Sequence, residues 1–160
     1  MLDLKIINGN CFISGKLEKQ DIGIKQGKIV KIGSLEEESK ETFNAENLTI
    51  LPGCIDTQVH FREPGSTDTE DLNSGSKAAV AGGITGVFEM PNTNPLTITP
   101  ETIDDKLNRA KRAAWSDYAF YLGGTMRTSA NLSEWEMLPG VSGIKIFIDI
   151  IFTLSKSLAF

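Results

Sequence analysis

The sequence predicts an α/β fold: four parallel strands alternating with crossover helices, preceded by a small all-β layer. Three observations carry that expectation. From Gly53 onward, apolar runs that read as strands alternate with stretches of helical period. They recur about every 30 residues, the length of a strand–helix–strand crossover. Before that point, residues 1–51 hold only short alternating runs separated by turn residues, and Leu51-Pro52-Gly53 marks the change.

In the first region (residues 1–52), Leu2, Leu4 and Ile6 alternate with Asp3 and Lys5, as on a strand with one buried face. Asn8-Gly9-Asn10 reads as a turn, because Gly and Asn tolerate positive φ. Ile22 and Ile24 alternate again, Gln26-Gly27 reverses the chain, and Lys28 to Ile32 runs back. The acidic stretch Glu36 to Glu41 reads as a solvated loop. No candidate site falls in this layer.

In the second region, Cys54 to Val59 is the first strand. Asp71 to Ala81 has a helical pattern with Leu72, Ala79 and Val80 among its apolar positions, stopped by Gly82-Gly83. Ile84 to Met90 is the second strand. Thr99 caps a helix with Pro100 at its first position, and Ile103, Leu107, Ala110 and Ala114 share one face. Tyr118 to Gly123 is the third strand, Leu132, Trp135 and Leu138 mark a short helix, and Gly143 to Phe147 is the fourth strand. An open doubly wound sheet and part of a (β/α)8 barrel both fit this order, and periodicity does not choose between them.

Composition excludes several classes of function. The 160 residues are 40% hydrophobic and 23% charged, a globular balance. A net charge of −5 with no Lys/Arg block argues against a nucleic-acid partner. Cys11 and Cys54 are too few for a disulfide framework or zinc cluster and read as small buried hydrophobes. The N-terminus lacks a basic-then-apolar signal pattern, so a cytoplasmic, reducing location is expected. The apolar stretch from Ile144 to Phe160 is interrupted by Lys145, Asp149 and Lys156, and is shorter than the roughly 20 residues a membrane span needs.

The densest polar cluster follows the first strand: Asp56-Thr57-Gln58-Val59-His60-Phe61-Arg62-Glu63-Pro64-Gly65. Strand alternation lets Asp56, Gln58, His60 and Arg62 share a face, at the strand end where parallel α/β folds put their sites. His60 is the only histidine in the chain, and a lone histidine is more often structural than a ligand. Arg62 suits bidentate capture of a carboxylate, against the plainer reading of an ion pair with Glu63 or Glu70. Asn92, in the second cluster Met90-Pro91-Asn92-Thr93-Asn94-Pro95, offers a donor and an acceptor, although Pro and Asn are also ordinary loop formers. Lys145 lies in an apolar strand, where an ammonium is costly unless it is paired, chemically changed or able to reach water.

Three of these stretches, in order, resemble blocks of the dihydroorotase family. Pro52 to Gly65 is similar to the signature that opens the barrel, where the family usually reads Asp-x-His-x-His-x-Arg. Ala81-Gly82-Gly83-Ile84-Thr85-Gly86-Val87-Phe88-Glu89-Met90-Pro91-Asn92-Thr93-Asn94-Pro95 matches a second block. Gly143-Ile144-Lys145-Ile146-Phe147 resembles the block around a metal-bridging lysine. The resemblance implies a metallo-dependent (β/α)8 hydrolase barrel flanked by a small β-sandwich layer, with zinc-activated hydroxide opening or closing the cyclic amide of dihydroorotate. It implies His60 as a metal ligand, Lys145, carbamylated, as metal bridge, and Arg62 with Asn92 on the substrate carboxylate. The Arg-Glu-Pro-Gly and Pro-Asn-Thr runs resemble dihydroorotases more than the related allantoinases or hydantoinases.

Three departures qualify what the resemblance implies. Gln58 stands where most of the family has its first metal histidine, and a carboxamide is a weak zinc donor. This leaves an altered site and lost catalysis both open. A (β/α)8 barrel takes about 250 residues, whereas position 53 onward supplies 160 − 52 = 108, about four of eight strands. Residues 148–160 run apolar without Gly or Pro where the family continues into a Gly/Ser-rich loop, and a frameshift after about Phe147 is the expected origin, with a natural short paralogue as the alternative. The sequence therefore predicts a truncated dihydroorotase-like chain, inactive by itself and prone to self-association. The alternatives are an enzyme completed by a second chain and a structural partner of aspartate transcarbamoylase.

Overall fold

The computed structural model describes residues 1–147, and the expectation for residues 148–160 lies outside the described residues. The chain divides into two compact units at Pro52/Gly53, where the sequence pattern changes.

The first unit is one sheet. Its strands are β1 (Leu2–Ile13), β2 (Lys16–Lys25), β3 (Lys28–Ile32), β4 (Ser39–Asn44) and β5 (Thr49–Ile50), in the order β3-β2-β1-β4 with β5 also on β1. Ser14 and Gly15, at φ 49° and 83°, form the two-residue turn between β1 and β2; this turn's twist matches that of paired strands.

Two expectations fail here. Asn8-Gly9-Asn10 does not reverse the chain but lies inside β1. There the register passes from Ile6↔Ile22 to Gly9↔Gln20, one extra residue on β1. A positive φ at Asn8 (63°) serves a bulge as well as a turn. Second, the end of the acidic stretch joins β4, which pairs in parallel with β1 through Leu4↔Glu41 and Ile6↔Phe43. Pairing uses only the backbone, and the exposed side chains keep their charges hydrated.

The second unit contains β6 (Cys54–Val59), α1 (Leu72–Ala81), β7 (Ile84–Glu89), α2 (Pro100–Ala113), β8 (Asp117–Gly123), a 3-10 turn (Ser129–Asn131), α3 (Leu132–Trp135) and β9 (Val141–Lys145). All four strands are parallel, in the order β6-β7-β8-β9. A doubly wound sheet reverses its strand order at a switch point. This sheet runs in sequence order and curls into a half-barrel, which decides between the two architectures. The fourth strand begins two residues before the predicted one because Val141 already pairs with Phe120.

Local signals set the helix starts. The Asp71 carboxylate accepts from the Ser74 amide at 2.6 Å, and the Ser74 hydroxyl reaches back toward the Asp71 amide. Thr99 and Thr102 form the matching cap for α2, with Pro100 in its first turn. Between helices and sheet lies the core: Phe61, Leu72, Val87, Ile103, Ala110, Phe120 and Leu122. Phe61 presses on α1 at Gly75, where a methyl group would sit 2.5 Å from the ring. The other side of the sheet is less covered. β6 is an edge strand among the described residues and is exposed through Gln58. Cys54, expected to be buried, is therefore exposed, while Cys11 is buried as expected.

Candidate functional site

Strand alternation stops short of the expected polar face. β6 ends at Val59, and its pairing with β7 slips between Asp56 and Val59. Asp56 and Gln58 remain on the strand, where the Asp56 carboxylate accepts from the Gln58 amide at 2.9 Å. His60 lies just past the strand, and Arg62 takes a left-handed backbone with φ 58°. The four residues therefore do not form one ladder. The bend turns Phe61 into the core and leaves Arg62 exposed.

The two loops that follow β6 and β7 are stitched together. The Met90 amide donates to Val59 O at 3.0 Å, and the Asn94 amide to Pro64 O at 3.0 Å. Gly65, at φ 122°, permits this approach, since a Cβ there would lie 2.8 Å from Asn94 Cβ. The second loop also closes on itself. The Thr97 amide donates to Pro91 O at 2.9 Å, and the Thr93 hydroxyl to Pro95 O at 2.9 Å.

This stitching brings together two residues that the sequence singled out 32 positions apart: His60 Nδ1 lies 2.8 Å from Asn92 Oδ1. Both side chains are half-buried. An amide oxygen only accepts, so the contact makes Nδ1–H the donor, and in the neutral tautomer that this selects Nε2 is the acceptor. Arg62 forms no ion pair among the described residues. Glu63, offered as its partner, instead accepts from the Leu72 amide at 2.9 Å and faces Arg109 Nη1 at 3.5 Å. Lys145 is the last residue of β9, with its Nζ 5.4 Å from the centroid of the Phe147 ring. The structure gives neither Arg62 nor Lys145 a hydrogen bond to His60 or Asn92.

A buried ion pair beneath this loop was not singled out from sequence. Lys106 Nζ lies 2.9 Å from Glu89 Oε2, and each side chain is only 1% exposed. Burial pushes the Glu89 carboxyl up, against the pull of Lys106, and pushes the Lys106 ammonium down, against the pull of Glu89. The signal was present: Lys106 stands three residues after Ile103 and four before Ala110, on the helix's apolar face, and Glu89 shares a strand face with Val87. A charge at a core position calls for a partner.

The zinc that the resemblance implies finds few donors here. Among the described residues, no three His, Cys, Asp or Glu side chains gather as a metal set. His60 offers one nitrogen, Gln58 is a weak donor, and Lys145 would need carbamylation to ligate. By themselves these residues do not fit a zinc site.

Residues 49–153 match the family model described as "Amidohydrolase family". This chain belongs to the amidohydrolase family. Allantoinase from Rubrobacter xylanophilus is 39% identical over 145 residues, covering 89% of this chain and 32% of that protein. Dihydroorotase from Thermococcus kodakarensis is 38% identical over 121 residues, covering 74% and 30%. Among solved structures, L-hydantoinase (dihydropyrimidinase) from Arthrobacter aurescens superposes with a TM-score of 0.79 at 29% identity, over 90% of this chain and 32% of that one. The amidohydrolase chain thus spans about a third of the length of the curated relatives it matches. Relatives of all three names are similar to it, so likeness alone does not rank the dihydroorotase reading above the others. No described helix is long and apolar enough to cross a membrane.

Proposed function

We propose that this chain is the substrate-recognising N-terminal part of a dihydroorotase-type cyclic-amide hydrolase, able to bind the ring but not to turn it over alone. The observation that carries the reading is the His60–Asn92 contact at the C-terminal ends of β6 and β7, where parallel barrels place their chemistry. Asn92 presents amide hydrogens to a carbonyl or carboxylate oxygen while its own oxygen orients the imidazole. Arg62, exposed and without an ion pair among the described residues, supplies a two-pronged donor for the carboxylate of dihydroorotate. Lys145 at the end of β9 is the proposed site of carbamylation.

The expectation that this chain alone gives no turnover follows from the donor set. One histidine in 160 residues does not furnish a metal centre with an open position. The exposed β6 edge supports completion of the barrel by further strands, from a longer polypeptide or a second chain, because parallel sheets are normally covered on both faces. Such completion would supply the missing ligands.

An allantoinase-type reading is favoured by the 38–40% identity of four allantoinases over 89–91% of the chain. The two differ in chemistry, because dihydroorotate carries a ring carboxylate and allantoin a neutral ureido group. Incubating the purified chain with each compound, while measuring ring opening and bound zinc, tests the proposal. Neither turnover nor stoichiometric zinc is expected, and ring opening by this chain alone would overturn the reading.

A further inference from the structure

The Glu89–Lys106 pair sits in an apolar core where a matched pair of hydrophobes would serve stability equally well. Its geometry suggests what else it does. Lys106 Nζ has three donors, and three groups surround it: Glu89 Oε2 at 2.9 Å, Met90 O at 3.3 Å, and the Phe120 ring with its centroid at 5.3 Å. Met90 is the first residue after β7. Its amide is bound to Val59 O, immediately before His60, and its carbonyl is bound by Lys106. Met90 is thus held through both of its backbone groups, the amide by Val59 and the carbonyl by Lys106. Two residues further on, Asn92 meets His60.

We propose that Lys106, aimed by Glu89, is a positioning residue that clamps the Met90 carbonyl and thereby fixes the His60–Asn92 contact. The apolar stem of Lys106 contributes to the core, whereas the ammonium gives direction: it fixes where the strand-end peptide lies, and so where the Asn92 side chain begins. The carboxylate meets Lys106 through one oxygen, Oε2, and among the described residues Oε1 takes part in no side-chain hydrogen bond. The inference rests on the reading of His60 and Asn92 as the working pair.

The test reads the contact itself. Because His60 is the only histidine, its two imidazole nitrogens give unambiguous ¹⁵N resonances in the full 160-residue chain. In the neutral imidazole a fixed contact holds one tautomer, whereas a released ring averages two. The wild-type chain is expected to show the single Nδ1–H tautomer. The double variant Glu89→Met/Lys106→Met keeps an apolar core and is expected to lose that single tautomer to an averaged pair of shifts. Glu89→Gln, which keeps the shape and removes the charge that aims Lys106, is expected to move the shifts in the same direction. A single unchanged tautomer in either folded variant, or an averaged one in the wild type, would overturn the proposal. Turnover plays no part in this readout, so failure of the hydrolase reading and failure of the clamp give different results.

Discussion

Phe61 packs against Gly75 of α1 so closely that a Cβ on the glycine would lie 2.5 Å from Cδ1 and 2.7 Å from Cε1 of the ring. The contact explains a glycine in mid-helix, and it anchors the loop between His60 and Arg62 to the core. Gly75→Ala gains about 1 kcal/mol of helix propensity but meets overpacking worth about 1–3 kcal/mol. Phe61 is 5% exposed and has nowhere to retreat. A net loss of stability is expected, read as a lower denaturant midpoint at unchanged slope. A raised midpoint would show that the packing is slack.

Removing one partner of the buried ion pair should cost far more than removing both. Lys106→Met strands the Glu89 carboxylate in the core and is expected to cost about 3–5 kcal/mol, while Glu89→Met/Lys106→Met should lie near the wild type. Equal losses in the single and double variants, measured by chemical denaturation, would contradict this account of the pair.

The α1 cap makes stability depend on acidity. The Ser74 amide, and next the Ser74 hydroxyl, hold the Asp71 carboxyl below its ordinary value of 3.8. The folded state therefore favours the ionised form. The contribution is fully present above pH 3.8 and is lost as pH falls through the lowered folded value. Asp71→Ala should lower Tm by a few degrees at neutral pH, and the gap to wild type should close in acid. A gap that widens on acidification would assign the cap the wrong sign.

Much of this structure was legible in the sequence where a single local rule governs. Asp71, Thr99 and Pro100 announce their helix starts because capping is settled within a few residues. The first barrel strand, Cys54 to Val59, has the predicted bounds because Pro52-Gly53 isolates it. What the sequence hid depends on distant partners. Asn8-Gly9 reads identically as a turn or a bulge, and β2 decides which. Cys54 looked like a core residue because nothing local reveals that β6 is an edge strand among the described residues. Alternation placed His60 and Arg62 on one strand face, but the chain bends after Val59 to bury Phe61. Glu89 and Lys106, 17 residues apart, look like errors on apolar faces until the fold pairs them.

The central claim is that His60, Asn92 and Arg62 recognise a cyclic amide bearing a carboxylate. It is tested most directly by titrating the ¹⁵N-labelled chain with dihydroorotate while following the His60 imidazole and the Asn92 side-chain amide. The expected result is a saturable shift of both signals. Arg62→Met should weaken binding about tenfold or more, consistent with the 1.5–3 kcal/mol of a charged hydrogen bond. Dihydrouracil, which lacks the carboxylate, should bind wild type and variant alike. If dihydroorotate moves neither signal, or binds Arg62→Met as tightly as the wild type, the account is contradicted.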